Sequence, residues 1–252
     1  MRISWIGLAG LVLLIGCGAA PEPTVAPSAK PAPIPKAEVQ AGTILGQVNF
    51  SGEKPASKPI SMDSVPACAK QHPMVIEPED VVINRNGTLR NVFIHLKTGV
   101  PSRDWPMPAT NVLLDQKGCV YSPRVVAVRI GQTLEIGNAD SMNHNVHPTP
   151  RRNPEFNEVQ PPGGDKMMKR FSTPETMIPF VCNVHPWMRA FVNVVEHPFY
   201  TVTGTDGSFN FSGVPPGEYE IEAIHEVFGA KTLTVSVGNR EERSVMFAFR
   251  AN

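Results

Sequence analysis

The chain has no surplus of charge: 23 Lys and Arg offset 23 Asp and Glu over 252 residues. Without a basic face there is no electrostatic footprint for a polyanion, which excludes nucleic acid as a partner. An internal repeat is missing too, and so is any segment with a sustained helical period. The run from Ile3 to Ile15 is too short for a spanning helix. Catalytic signatures are absent: the chain holds no Gly-rich phosphate loop, no Ser nucleophile elbow and no His-Glu-x-x-His pair. The expectation is therefore a protein that is not an enzyme. Proline (26) and glycine (20) are plentiful, which favours turns and linkers over long helices. A hydrophobic share of 41% suffices for a packed core.

The first 17 residues read as a targeting segment. Arg2 precedes the apolar run, which ends in Leu14-Ile-Gly-Cys17. This resembles the processing box of bacterial lipoproteins. The resemblance implies a lipid on Cys17, a membrane anchor and export to the periplasmic face of the outer membrane or the cell surface. Residues 18–41 are proline-dense, which favours extended polyproline II and makes them a semi-rigid tether rather than a domain.

From Thr43 onward, short apolar alternations punctuated by turn residues predict an all-β fold. Expected strands cover 43–50, 125–130, 133–136, 178–182, 190–195 and a series after 200. Asn86-Gly87 marks a hairpin whose second arm turns Val92, Ile94 and Leu96 one way. A short helix is expected between Asp63 and His72, capped by Asp63 or Ser64 with Pro66 in its first turn.

The chemistry concentrates in Phe180-Val-Cys-Asn-Val-His-Pro-Trp-Met188. Within seven residues it offers a thiolate (Cys182), an imidazole (His185) and a thioether (Met188). Thiolate and thioether are soft donors suited to Cu(I), whereas imidazole suits both oxidation states. With a second imidazole this becomes the ligand set of an electron-transfer copper site. Pro186 stiffens the loop. The second imidazole comes from Met142-Asn-His-Asn-Val-His147, where His144 and His147 compete. Their odd separation puts them on opposite faces of a regular strand, so only one reaches the site. His72, His95, His197 and His225 are expected to be surface or hydrogen-bonded residues, and Met142, Met167 and Met168 to be packing residues.

Cys182-Asn-Val-His185-Pro-Trp-Met188 resembles the cupredoxin family, with the short ligand loop of the amicyanins. Asn138-Ala-Asp-Ser-Met-Asn-His144-Asn145 resembles the family's segment for the first histidine, and Tyr121 to Ile136 its lead-in strands. The resemblance implies a Greek-key β-sandwich holding one type 1 copper ion on His144, Cys182, His185 and Met188. It makes Asn145 an outer residue steadying the loop, and places His185, nearest the surface with Pro186 and Trp187, at the electron exit towards a redox partner. Trp187 inside the loop departs from the family pattern, as does the Pro/Gly-rich passage 148–162.

With Cys17 assigned to lipid and Cys182 to metal, Cys68 and Cys119 remain. In an oxidising compartment they are expected to form a disulfide, whose closure contributes about 4 kcal/mol in the chain-entropy view. The rival is a second metal or redox pair, but no Cys or His stands near either at ligand spacing, His72 being nearest.

Finally, Asp206-Gly-Ser-Phe209 followed by Val214-Pro-Pro-Gly-Glu-Tyr219 resembles the carboxypeptidase regulatory-like β-sandwich. The domain reading is then a cupredoxin at 101–198 and a small sandwich at 199–252. The segment 42–100 is expected to join the latter, or in part to supply the first strand of the cupredoxin. The functional expectation is an exported, membrane-anchored single-electron carrier. Copper delivery or buffering, and a structural or interaction role, are the alternatives.

Overall fold

The computed structural model describes residues 40–251. Cys17, the targeting segment and nearly all of the tether lie outside the described residues.

The fold is all-β, with four sheets stacked in two pairs. In the first pair, β1 (Gly42–Ser51) lies between β13 (Ser208–Val214), antiparallel, and β16 (Glu242–Arg250), parallel. The facing sheet runs β12 (Tyr200–Val202), β2 (Phe93–Thr98), β14 (Gly217–His225), β15 (Gly229–Val237). The second pair opposes a five-stranded and a four-stranded sheet. The five are β5 (Val125–Arg129), β11 (Arg189–Val195), β10 (Glu175–Val181), β7 (His144–Pro148) and β8 (Glu158–Gln160). The four are β4 (Tyr121–Ser122), β3 (Val112–Gln116), β6 (Leu134–Ile136) and β9 (Met167–Lys169).

Period-2 patterning builds each core. Along β14, Tyr219, Ile221 and Ala223 are buried while Glu218, Glu220 and Glu222 face outward. The inward set meets Ile44, Val48, Phe211, Phe247 and Phe249 of the opposite sheet. The second core gathers Leu114, Leu134, Ile136, Val146, Phe180 and Val192. Each fully buried Leu, Ile or Phe stabilises the fold by about 1.5–3 kcal/mol. Between the cores lies β2. It sends Ile94 and Leu96 into the first core, with Val92 just before it. Its other face sends Phe93 against Val125, Phe191 and Val195. A strand buried on both faces needs a near-continuous apolar run, and Val92-Phe-Ile-His-Leu96 is one.

The segment 42–100 is split between the two cores. In the sheets, β1 and β2 pair with strands from residue 200 onward, and Asn49 of β1 also bridges Thr88. Ile60, Met62, Val65, Cys68, Ala69 and Ile76 instead pack on the second core. The helix α1 (Pro66–Ala69) in this excursion is shorter than expected. Its N-cap is Val65, whose side chain has no polar atom to cap the helix N–H groups, and the Asp63 carboxylate instead accepts the Ser61 hydroxyl at 2.8 Å. The expected hairpin around Asn86-Gly87 is a turn with a single Ile83–Leu89 bridge rather than a ladder. Strands β3, β8 and β9 have no counterpart in the sequence expectations.

Candidate metal centre

Two neighbouring strands present the donors. The pairing of β10 with β7 sets Val181 opposite His147 and Phe180 opposite Pro148. His147, on the outer face, is held by Glu155 at 2.8 Å and Asn183 at 3.1 Å. Three residues earlier on the opposite face, His144 is fully buried. Alternation thus decides between the two imidazoles in favour of His144. After β10 the chain turns back through residues 182–188. The Met188 N–H donates to the His185 carbonyl at 2.9 Å and the Cys182 N–H to the Met188 carbonyl at 3.4 Å, before β11 begins at Arg189.

This turn brings His185 to His144. Their Nδ1 atoms are 2.9 Å apart, and Cys182 Sγ is 3.6 Å from His185 Nδ1. Met188 is fully buried in the same core cluster. Sequence reasoning did not find Asp140, whose carboxylate accepts the His144 Nε2–H at 2.9 Å. Its oxygens also collect the N–H groups of Gly118 at 2.6 Å and Cys119 at 2.7 Å. A carboxylate on Nε2 fixes the tautomer that turns the Nδ1 lone pair towards the site. The signal was there in the form of an acidic residue four positions before the histidine.

Electrostatics favour the charged donor. Burial pushes the Cys182 thiol up, but hydrogen bonds from His144 and from the N–H groups of Asn145, Val184 and His185 outweigh it and hold the thiol below its usual value. Burial likewise acts against the Asp140 carboxylate. The N–H groups of Cys119 and Gly118 and the His144 ring reverse that effect and keep Asp140 below the usual range. The His185 ring is held down by burial and by His144.

Asn145 Oδ1 accepts the Asn183 N–H at 2.5 Å, and its Nδ2 donates to Asn157 at 2.6 Å. Tyr121, another residue missed in the sequence, donates its hydroxyl to the Asn145 carbonyl at 3.0 Å.

The expected surface position of His185 needs correction. The ring is 4% exposed. Pro186 is exposed, and Trp187 is half-buried, its indole N–H donating to the Cys119 carbonyl at 2.9 Å. The cover is the excursion carrying α1. The Cys68–Cys119 disulfide is formed, and Cys68 Sγ lies 3.6 Å from His185 Nε2. Met142 Sδ sits 3.4 Å from each cystine sulfur. The other histidines are engaged elsewhere: His72 with the Gly118 carbonyl at 2.6 Å, His95 with Glu222 at 3.1 Å and His197 with the Leu96 carbonyl at 2.7 Å.

A family model, the second β-sandwich domain of NOMO1-like subunits of the BOS complex, matches residues 195–247. No curated protein sequence matches. Among solved structures, a copper-containing nitrite reductase from Thermus scotoductus is 21% identical over 39% of this chain and 25% of its own length, with a TM-score of 0.31. The chain thus spans a quarter of that enzyme. A purple cupredoxin from Nitrosopumilus maritimus is 22% identical over 33% of this chain and 99% of its own, with a TM-score of 0.29. Amicyanin from Paracoccus versutus is 22% identical over 40% and 96%, with a TM-score of 0.30.

Proposed function

We propose that the protein is a copper-binding carrier of single electrons, with the metal held by His144, Cys182 and His185 and weakly by Met188. The observation that carries the reading is the convergence of two imidazole Nδ1 atoms and one sulfur within 3.6 Å contacts. Two Nδ1 atoms at 2.9 Å need a proton or a cation between them. Asp140 takes the Nε2–H of His144 and leaves its Nδ1 free to bind. Copper bound there would supply a one-electron couple between Cu(I) and Cu(II). The chain's own part is to present one thiolate, kept below its usual pKa, and two oriented imidazoles in a buried pocket. Asn145 holds the ligand loop through Asn183, which favours small rearrangement between oxidation states. All four donors are protein side chains, which suits a carrier better than an enzyme. The reading extends to an exported chain anchored by lipid at Cys17 and meeting a redox protein in a weak, small encounter. A disulfide in place is consistent with an oxidising compartment.

One observation favours a second reading, copper delivery or buffering: the His185 ring is covered, so no imidazole edge is offered to a partner. The deciding experiment is a visible and electron paramagnetic resonance spectrum of the full chain loaded with Cu(II). An intense thiolate-to-copper band with narrow hyperfine splitting is the expected result. Weak ligand-field absorption alone would remove Cys182 from the site and leave copper handling as the function. Slow electron self-exchange alongside the intense band would also favour handling over transport.

A further inference from the structure

The cover over His185 is chemically unusual. Packing alone would be served by aliphatic side chains, yet the atoms against the Nε2 edge are sulfurs. Cys68 Sγ stands 3.6 Å from Nε2, and Met142 Sδ touches both cystine sulfurs at 3.4 Å. The donor atoms of Cys68, Cys119 and His185 all lie within 4.8 Å of one another. Four potential ligands thus converge from four separate stretches of chain. Cys68 comes from α1, Cys119 from the loop before β4, Met142 from the loop before β7 and His185 from the ligand loop. Sequence spacing offered no histidine beside either cysteine; the fold supplies one from 117 residues away.

We propose that this cluster is a second metal site, latent in the disulfide form and opened by reduction, which holds Cu(I) on the Cys68 and Cys119 thiolates with Met142, beside the Nε2 edge of His185. The donor chemistry selects the ion. Two thiolates and a thioether are soft and favour Cu(I). The reductant is a dithiol. Its thiolate attacks one cystine sulfur, the other leaves as a thiol, and resolution of the mixed disulfide releases the reductant as a cyclic disulfide. The two electrons and two protons of the dithiol end on Cys68 and Cys119, and metal binding then displaces those protons. Both cysteines are buried, so attack needs local opening of the cover. That opening moves a short element: the helix α1 has four residues, the Ile60–Ile76 bridge is internal to the excursion, and what must part is the packing of Ile60, Met62, Val65 and Ile76 and the His72–Gly118 hydrogen bond. Cys119 stays anchored, because its N–H and that of Gly118 remain on the Asp140 carboxylate. Cys182 takes no part and His185 keeps its Nδ1 for the carrier site, so this site stands apart from the carrier reading.

The test is an anaerobic Cu(I) titration of the full chain against a chromophoric Cu(I) chelator, before and after treatment with dithiothreitol and its removal. One equivalent is expected in the disulfide form and two after reduction. Reduced Cys182→Ser should keep the added equivalent while losing the thiolate-to-copper band of the first site. Met142→Leu, a substitution close in volume, should weaken the added equivalent by about tenfold or more, the scale on which even outer partners of a metal site count. No added equivalent on reduction would overturn the proposal. So would an added equivalent unchanged in Met142→Leu, or one surviving in Cys68→Ser/Cys119→Ser. A wild-type protein that lacks the band in its Cu(II) form yet gains an equivalent on reduction would sink the carrier reading alone.

Discussion

At the residue scale, two donors of the candidate site are held by partners that settle their protonation or direction. Asp140 does this for His144, and backbone N–H groups do it for Cys182. Met188 is fully buried and its thioether is the weakest donor, so it is the place to tune the site without emptying it. Met188→Gln should lower the reduction potential while copper remains bound, because an amide oxygen is harder than a thioether and favours Cu(II). Voltammetry giving an unchanged potential would remove Met188 from the ligand set. Away from the candidate site, His225 is buried with Nδ1 facing the Val227 and Phe228 N–H groups and with no hydrogen-bond partner on Nε2. Burial lowers its pKa to about 4, against 6.5 unperturbed, with a smaller upward pull from Asp80 and a downward one from Arg124. The unfolded chain therefore binds more protons than the folded one between these values. Stability is full above pH 6.5 and declines as pH falls towards 4, by about 3 kcal/mol for this group. Urea unfolding followed across that window checks it, and His225→Phe should flatten the slope.

At the element scale, β1 joins the N-terminal part of the described chain to the C-terminal strands, and Gly46 sits where it crosses β13. A Cβ there would fall 2.2 Å from the Phe209 ring, which covers the glycine. Gly46→Ala should therefore cost about 1–3 kcal/mol, the range for overpacking, despite the better strand propensity of alanine. A variant with an unchanged urea midpoint would mean that the ring moves aside freely. The pattern of β14 was legible in the sequence because Glu218, Glu220 and Glu222 alternate with buried Tyr219, Ile221 and Ala223. Strands β8 and β9 were not. They are three residues each, and Val159 and Met168 are exposed in them. Such short pieces owe their pairing to β7 and β6 rather than to their own alternation.

At the scale of the whole molecule, the two sandwiches share a seam formed by Phe93, Val125, Phe191 and Val195, beside which Arg124 meets Glu226. The pair is bidentate, at 2.7 Å and 2.6 Å, and the Arg124 and Glu226 side chains are only 12% and 7% exposed. Breaking one partner of such a shielded pair leaves an uncompensated charge, at a cost of about 3 kcal/mol or more. Glu226→Gln should lower the unfolding midpoint accordingly in calorimetry. An unchanged midpoint would show the seam to be held by its apolar residues alone.

The sequence by itself determined the all-β class and the spacing of Cys182, His185 and Met188 along the chain. These depend on local alternation and on residue type, both of which survive without a third dimension. It left His144 and His147 open, because the face a strand turns inward is set by what packs against it. The joining of 42–51 to strands after 200 was only an expectation, since such pairing has no local signature. Tertiary structure alone decided that residues 60–76 cover the candidate site, that Asp140 ties His144 to the disulfide loop, and that His185 is shielded by sulfur. Each of these rests on contacts between groups distant along the chain or on different elements, and composition and spacing carry no record of which distant segment will pack on an imidazole edge.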